Sequence, residues 1–226
     1  MGEMIEFPSN GSNAVGYLSV PEAGNGPGVI VIQEWWGLVD HIRSVCDRFA
    51  SAGYVALAPD LYHGVTVAEP DEAGKAMMAL KMEGAAKDMS GAVDELLRRS
   101  SGDHVGVIGF CMGGGLALVL ATQRPDAVAA VVPCYGVIPW PDAQPDWAAL
   151  QGAVLGHYAA NDDFFTPEAA EALGAQLREL GKEVEAIVYP DTDHAFFNDT
   201  RPEVYDADAS KALWDRSLAF FAAHLS

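Results

Sequence analysis

The sequence predicts a doubly wound α/β fold, a mostly parallel sheet flanked by helices, and two observations predict it. Short, valine-rich apolar runs recur along the chain, continuous rather than alternating, as strands buried on both faces require. Between them lie longer stretches with apolar residues at helical spacing, several of them closed by glycine. Strands alternating with helices imply parallel pairing through right-handed crossovers.

Taken in order, MIEF and AVGYLSV read as one or two antiparallel edge strands leading into the sheet. GVIVIQ (28–33) and YVALAPD (54–60) are buried strands separated by the helix pattern HIRSVCDRFASAG, in which Ile42, Val45, Cys46 and Phe49 share one face and Gly53 is the stop. Residues 71–100 read as two helices interrupted by Gly74, Gly84 and Gly91. HVGVIGF (104–110), AVAAVVPCYG (127–136), GAVLGHY (152–158) and EVEAIVYP (183–190) supply four further strands. PEAAEALGAQLRELG is a helix with Thr166 as N-cap, Pro167 in the first turn and Gly181 past its end. A closing amphipathic helix is expected over 201–225.

At 226 residues, half of them apolar and without a low-complexity run, the chain suits a single domain, 1–226. The formal net charge of −19 argues against nucleic acid and anionic membrane surfaces, which need basic patches. No apolar stretch approaches a membrane span of about 18 residues, and the opening residues lack a signal peptide's basic start and apolar run, so a cytoplasmic location is expected. Three cysteines without metal-ligand spacing fit a reducing compartment. A monomer or homodimer acting on a small molecule, with no cofactor and no metal, is the expected working form.

The chemistry centres on VGVIGFCMGGGLALVLA (105–121). A strand ending at Gly109 and a helix starting near Gly113 leave only Phe110, Cys111 and Met112 for the turn. The pattern G-x-C-x-G is a nucleophile elbow with sulfur in place of oxygen, and its glycines are needed because a Cβ on either flank would clash. Cys111 then sits at a helix N-terminus, whose dipole favours a thiolate. A phosphate-binding loop is excluded, because Leu116 stands where its lysine–serine/threonine end would begin.

Acyl transfer by a thiol needs a base and a carboxylate that orients the base. After the strand ending near Tyr158 comes AANDDFFTP, and after the strand ending near Tyr189 comes PDTDHAFFND, the order nucleophile, acid, histidine. His194 is the base; Asp162 or Asp163 is the acid, with Asp191 and Asp193 too close to His194 in sequence. The backbone N–H of Met112 and that of Trp35, in the early loop QEWWGL, are the expected oxyanion donors. Glu34, a carboxylate closing a buried strand, must find a partner or carry a desolvation cost, and is a candidate functional group. Cys46 and Cys134 read as core residues, His41 as part of a helix start, and His63 and His157 as possible neighbours of the cleft.

With these residues in view the chain resembles the dienelactone hydrolase family, through QEWWGL, APDLYHG, GFCMGG, ANDDFFTP and PDTDHAFFN in family order over nearly the whole length. The resemblance implies an α/β-hydrolase fold without a large cap domain and a Cys111–His194–Asp162 triad. It also implies a Glu34 that holds the resting thiol and deprotonates it when an ester binds. Members that hydrolyse dienelactone hold its carboxylate with arginines. Here HGVTVAEPDEAGKAMM carries none, Asn198 stands four residues past His194, and Arg201 is displaced. The expectation is therefore a thiol-dependent hydrolase of a different small ester or lactone. The contrasting possibility is a non-catalytic scaffold that binds or senses a small molecule.

Overall fold

Residues 2–9, 11–136 and 138–225 are described by the computed structural model. Strands β1 (Glu3–Ser9) and β2 (Ser12–Ser19) form an antiparallel hairpin whose turn uses Gly11 at φ 108°. The remaining strands are β3 (Pro27–Ile32), β4 (Val55–Pro59), β5 (Ser101–Phe110), β6 (Val128–Cys134), β7 (Ala153–Asn161) and β8 (Val184–Asp193). One sheet carries all eight in the order β1-β2-β4-β3-β5-β6-β7-β8. Pairing is antiparallel at β1–β2 and β2–β4 and parallel from β4 to β8.

Helices α1 (Asp40–Ser51), α2 (Pro70–Ala79), α3 (Met82–Arg99), α4 (Met112–Gln123), α5 (Pro167–Glu179) and α6 (Ala207–His224), with a short 3-10 turn at Pro141–Ala143, complete the elements among the described residues. Register shows that both faces of the sheet are covered. Gly28 lies against Leu96 of α3; the next position, Val29, pairs with Gly106, which lies against Phe221 of α6. Successive strand residues point to opposite faces, so α3 and α6 lie on opposite sides. On the α6 side Phe49 of α1 meets Phe221 and Trp214, with ring centroids 5.9 and 4.6 Å apart. Covered on both faces, β3 is continuously apolar, with Val29 to Ile32 fully buried. Helix α4 is buried all round, which explains MGGGLALVLA: an interior helix needs no polar stripe.

The topology also says where a ligand belongs. From β3 the chain turns to β4 on one side, then returns past β3 to β5 on the other, so β3 and β5 flank the point where the winding reverses. In open α/β sheets the crevice beyond the carboxyl ends of such strands is the binding position. Glu34 follows β3 and Cys111 follows β5.

Three local expectations change. Gly84 and Gly91 do not interrupt a helix: α3 runs through both, and the break falls at Leu80–Lys81. Gly91 is a packing residue, because a Cβ there would lie 2.4 Å from the Pro8 carbonyl oxygen of β1. The closing helix starts at Ala207, not 201, because Pro202 disfavours helical geometry at Arg201 and Asp206 caps the Ala209 N–H at 2.8 Å. Helix α4 starts at Met112, one residue before Gly113, with Cys111 as its N-cap residue.

Candidate active site

The β5–α4 turn is drawn tight by glycine. A Cβ on Gly109 would lie 2.0 Å from the Gly113 carbonyl oxygen, and one on Gly113 would lie 2.4 Å from that of Ile32. No side chain fits at either place. Between them Cys111 takes φ 53° and ψ −120°, a conformation costing a non-glycine residue about 1–3 kcal/mol. The surrounding packing holds it there: the Cys111 N–H donates to the Cys134 carbonyl at 3.0 Å, and the Cys111 carbonyl accepts from the Gly114 N–H at 2.9 Å. The thiol is free, and its residue is 8% exposed, at the floor of a cavity of about 400 Å³.

His194 follows β8, and its Nδ1 lies 2.7 Å from Asp162 Oδ2. The other carboxylate oxygen accepts the backbone N–H groups of Phe164 and Phe165 at 2.8 and 3.1 Å. Asp162 is thus buried with three hydrogen-bond partners, which fixes the ring it faces. Asp163 also lines the cavity but makes no such contact with His194. Between the two acids left open by the sequence, geometry selects Asp162 as the partner of His194. Burial opposes charge on this imidazole, yet the hydrogen bonds and charges of Asp162 and Cys111 outweigh it and raise its pKa to about 10. Tyr135 and Phe164 pack on the ring, with centroids 5.1 and 5.0 Å away.

Glu34 is 1% exposed. Its Oε2 accepts from Asn198 Nδ2 at 2.7 Å, whereas its Oε1 has no protein partner. Burial raises its pKa, against the lowering influence of His41, the Asn198 hydrogen bond, His194 and Arg201. Trp35 lines the cavity after β3, while Met112 follows Cys111 as the first residue of α4 and is fully buried. Among the described residues, neither backbone N–H is donated to a backbone or side-chain acceptor. Two unspent donors beside the Cys111 turn could meet a developing oxyanion. No group of three or more His, Cys, Asp or Glu among the described residues could hold a metal ion.

Two residues do more than their sequence context suggested. Asn198 is the hydrogen-bond partner of Glu34, and His41, beyond starting α1, is a buried ring between Phe110 and Phe197. The signal for His41 was present in its spacing: with Val45 and Phe49 it falls on the buried stripe of α1. Arg201, displaced in sequence, still reaches the cavity wall, because its N–H bonds back to the Asn198 carbonyl at 3.0 Å and turns the chain toward the site. There it pairs with Glu203 at 2.8 Å and lies 5.5 Å from the Trp36 ring centroid. His63 pairs with Asp88 at 3.5 Å, outside the cavity. His157 is a core residue that does not border the cleft, bonded to Tyr189 and Ser217.

Comparison with known proteins bears on the family and the fold. The sequence pattern described as "Dienelactone hydrolase family" matches residues 15–225. The chain belongs to the dienelactone hydrolase family. It is 38% identical to "Protein usf" of Aquifex pyrophilus and 32% identical to a "Putative carboxymethylenebutenolidase" of Aquifex aeolicus, each alignment covering 100% of both chains. A crystal structure of a "Putative Dienelactone Hydrolase" from Klebsiella pneumoniae superposes with a TM-score of 0.90 at 30% identity, over 99% of each chain. As a member of this hydrolase family the protein has an α/β-hydrolase fold, and no helix among the described residues is long and apolar enough to cross a membrane.

Proposed function

We propose that the protein is a thiol-dependent hydrolase of small carboxylic esters or lactones, working through an acyl-enzyme on Cys111. The observation that carries this reading is the 2.7 Å contact of His194 with a fully bonded Asp162, beside a cysteine held on a strained, glycine-flanked turn. Names borne by relatives, carboxymethylenebutenolidase and dienelactone hydrolase, favour the same substrate class.

In this reading Glu34 takes the proton of the resting thiol, and the Cys111 sulfur attacks the acyl carbon. Negative charge develops on the carbonyl oxygen and is met by the N–H groups of Met112 and Trp35. As the carbon–oxygen bond breaks, imidazolium His194 gives its proton to the departing alkoxide. Neutral His194 then takes a proton from water, whose oxygen attacks the thioester; the acid is released, and the departing Cys111 thiolate takes back the proton held by Glu34. Asp162 keeps Nδ1 protonated, so that Nε2 does the acid–base work. The aromatic walls, Trp35, Trp36 and Phe164, suit a small apolar acyl or alcohol group.

A panel of p-nitrophenyl short-chain esters and small lactones tests the proposal. Turnover of at least one class, abolished in Cys111→Ala with the fold intact by circular dichroism, is the expected result. Full turnover by Cys111→Ala would overturn the nucleophile. No turnover of any ester or lactone would favour a binding module instead.

A further inference from the structure

Behind the cavity lies a second histidine–aspartate pair that the acyl-transfer steps do not use. His41, in the first turn of α1, is 3% exposed and held between Phe110 and Phe197, with centroids 6.4 and 6.1 Å away. Its Nδ1 lies 3.1 Å from Asp199 Oδ1, while its Nε2 is buried without a protein partner. Glu34 mirrors it: Oε2 is bonded to Asn198 and Oε1 is buried without a protein partner. Asn198 and Asp199 are consecutive, so their Cα atoms are about 3.8 Å apart, and one stretch of backbone clamps both groups.

The two unpartnered atoms are complementary in either proton state. A carboxylate facing Nδ1 makes it the donor, which leaves Nε2 of the neutral ring an acceptor toward a protonated Oε1. With the proton moved, Nε2 becomes a donor toward a carboxylate. No direct hydrogen bond joins the two among the described residues. We infer that His41, backed by Asp199, is the positioning residue that lets Glu34 ionise. The Oε1 proton passes through one bridging water to His41 Nε2, the Nδ1 proton stays on the Asp199 hydrogen bond, and the Glu34 carboxylate is left to take the thiol proton of Cys111. This rests on the reading of Cys111 as nucleophile and Glu34 as its base.

Other groups act on the same carboxylate and are accounted for. His194 and Arg201 favour the charged form of Glu34, and His41 stands ahead of both. Cys134 and Tyr135 also feel Glu34, but burial keeps them protonated. On the far side, Asp199 faces the Arg48 guanidinium, which the Tyr205 hydroxyl also influences.

The test is the rate of Cys111 alkylation by iodoacetamide against pH, which needs no turnover. Glu34→Gln first identifies the limb that Glu34 causes. In His41→Gln that limb should move to higher pH by about one unit or more, a tenfold slower alkylation on the slope. The double variant should behave as Glu34→Gln alone. Asp199→Asn, at a half-exposed position where folding is safe, should move the limb the same way by less. A His41→Gln or Asp199→Asn profile superimposable on that of the unaltered protein overturns the inference. So does a double variant whose loss is the product of the single losses. Failure of the hydrolase reading is a separate result, seen as Cys111→Ala retaining ester turnover while the alkylation profiles stand on their own.

Discussion

His194 and His157 lie on adjoining parts of the sheet, one just past β8 and the other within β7, and both are largely shielded from water. Their acid–base behaviour is opposite. His157 accepts or donates only to hydroxyls, Tyr189 at 2.9 Å and Ser217 at 3.2 Å; burial, with the Arg216 charge, lowers its pKa to about 3. His194 is buried too, but the Asp162 carboxylate and the Cys111 sulfur beside it carry the pKa up to about 10. Burial by itself makes a neutral, structural histidine. A proton-handling one arises where burial is opposed by a fixed carboxylate, and the molecule contains both cases one strand apart.

The sharpest way to break this contrast is to remove the carboxylate. Asp162→Asn should push His194 toward the condition of His157 and lose the correct tautomer, lowering kcat by roughly three to four orders of magnitude. Nuclear magnetic resonance titration of the imidazole should show its pKa falling from about 10. A loss under tenfold, with His194 still protonated at pH 8, would show that Asp162 does not govern the ring.

Next in size is the pH dependence of stability, where the two histidines have opposite signs. For His157, whose pKa is depressed in the folded state, folding favours the neutral ring. Its contribution is present above the unfolded value near 6.5 and is lost as pH falls toward about 3, by up to roughly 5 kcal/mol. For His194 the folded pKa is raised. Its stabilisation is complete below the unfolded value and is lost as pH rises through about 10. His157→Gln, which can keep a hydrogen bond to Tyr189 or Ser217, should flatten the acid limb of urea-unfolding free energy and leave kcat within about threefold. An unchanged acid limb would deny His157 its part.

The smallest effect is expected at Asp163. It shares the cavity with His194 but not the hydrogen bond, so Asp163→Ala should keep kcat/KM within about threefold. A crippled Asp163→Ala beside an active Asp162→Ala would reverse the assignment of the acid.

What could be read from the sequence was what short-range physics writes into it. Strands β3 to β7 announced themselves because burial on both faces demands unbroken apolar runs, and the elbow because a turn this tight tolerates only glycine at 109 and 113; the edge strand β8, read as a buried run, is largely exposed. Long-range packing was not legible in the same way. Gly91 looked like a helix break because nothing local reveals that the β1 backbone crosses there. Asn198 and Arg201 were judged by their distance from His194 along the chain, but the turn at 198–201 decides what each one reaches. His41 carried a helical-face signal, yet its tie to Asp199 spans 158 positions and appears only in the folded chain.

The central claim is that Cys111 carries the acyl group. Mixing the protein with excess p-nitrophenyl acetate, quenching in acid after one turnover and digesting for mass spectrometry tests it most directly. The His194→Ala variant, slowed in deacylation, extends the window. One acetyl group on the peptide bearing Cys111, lost on treatment with hydroxylamine and absent from Cys111→Ala, is the result predicted. An acetyl group on any other residue during turnover, with Cys111 unmodified, would contradict it.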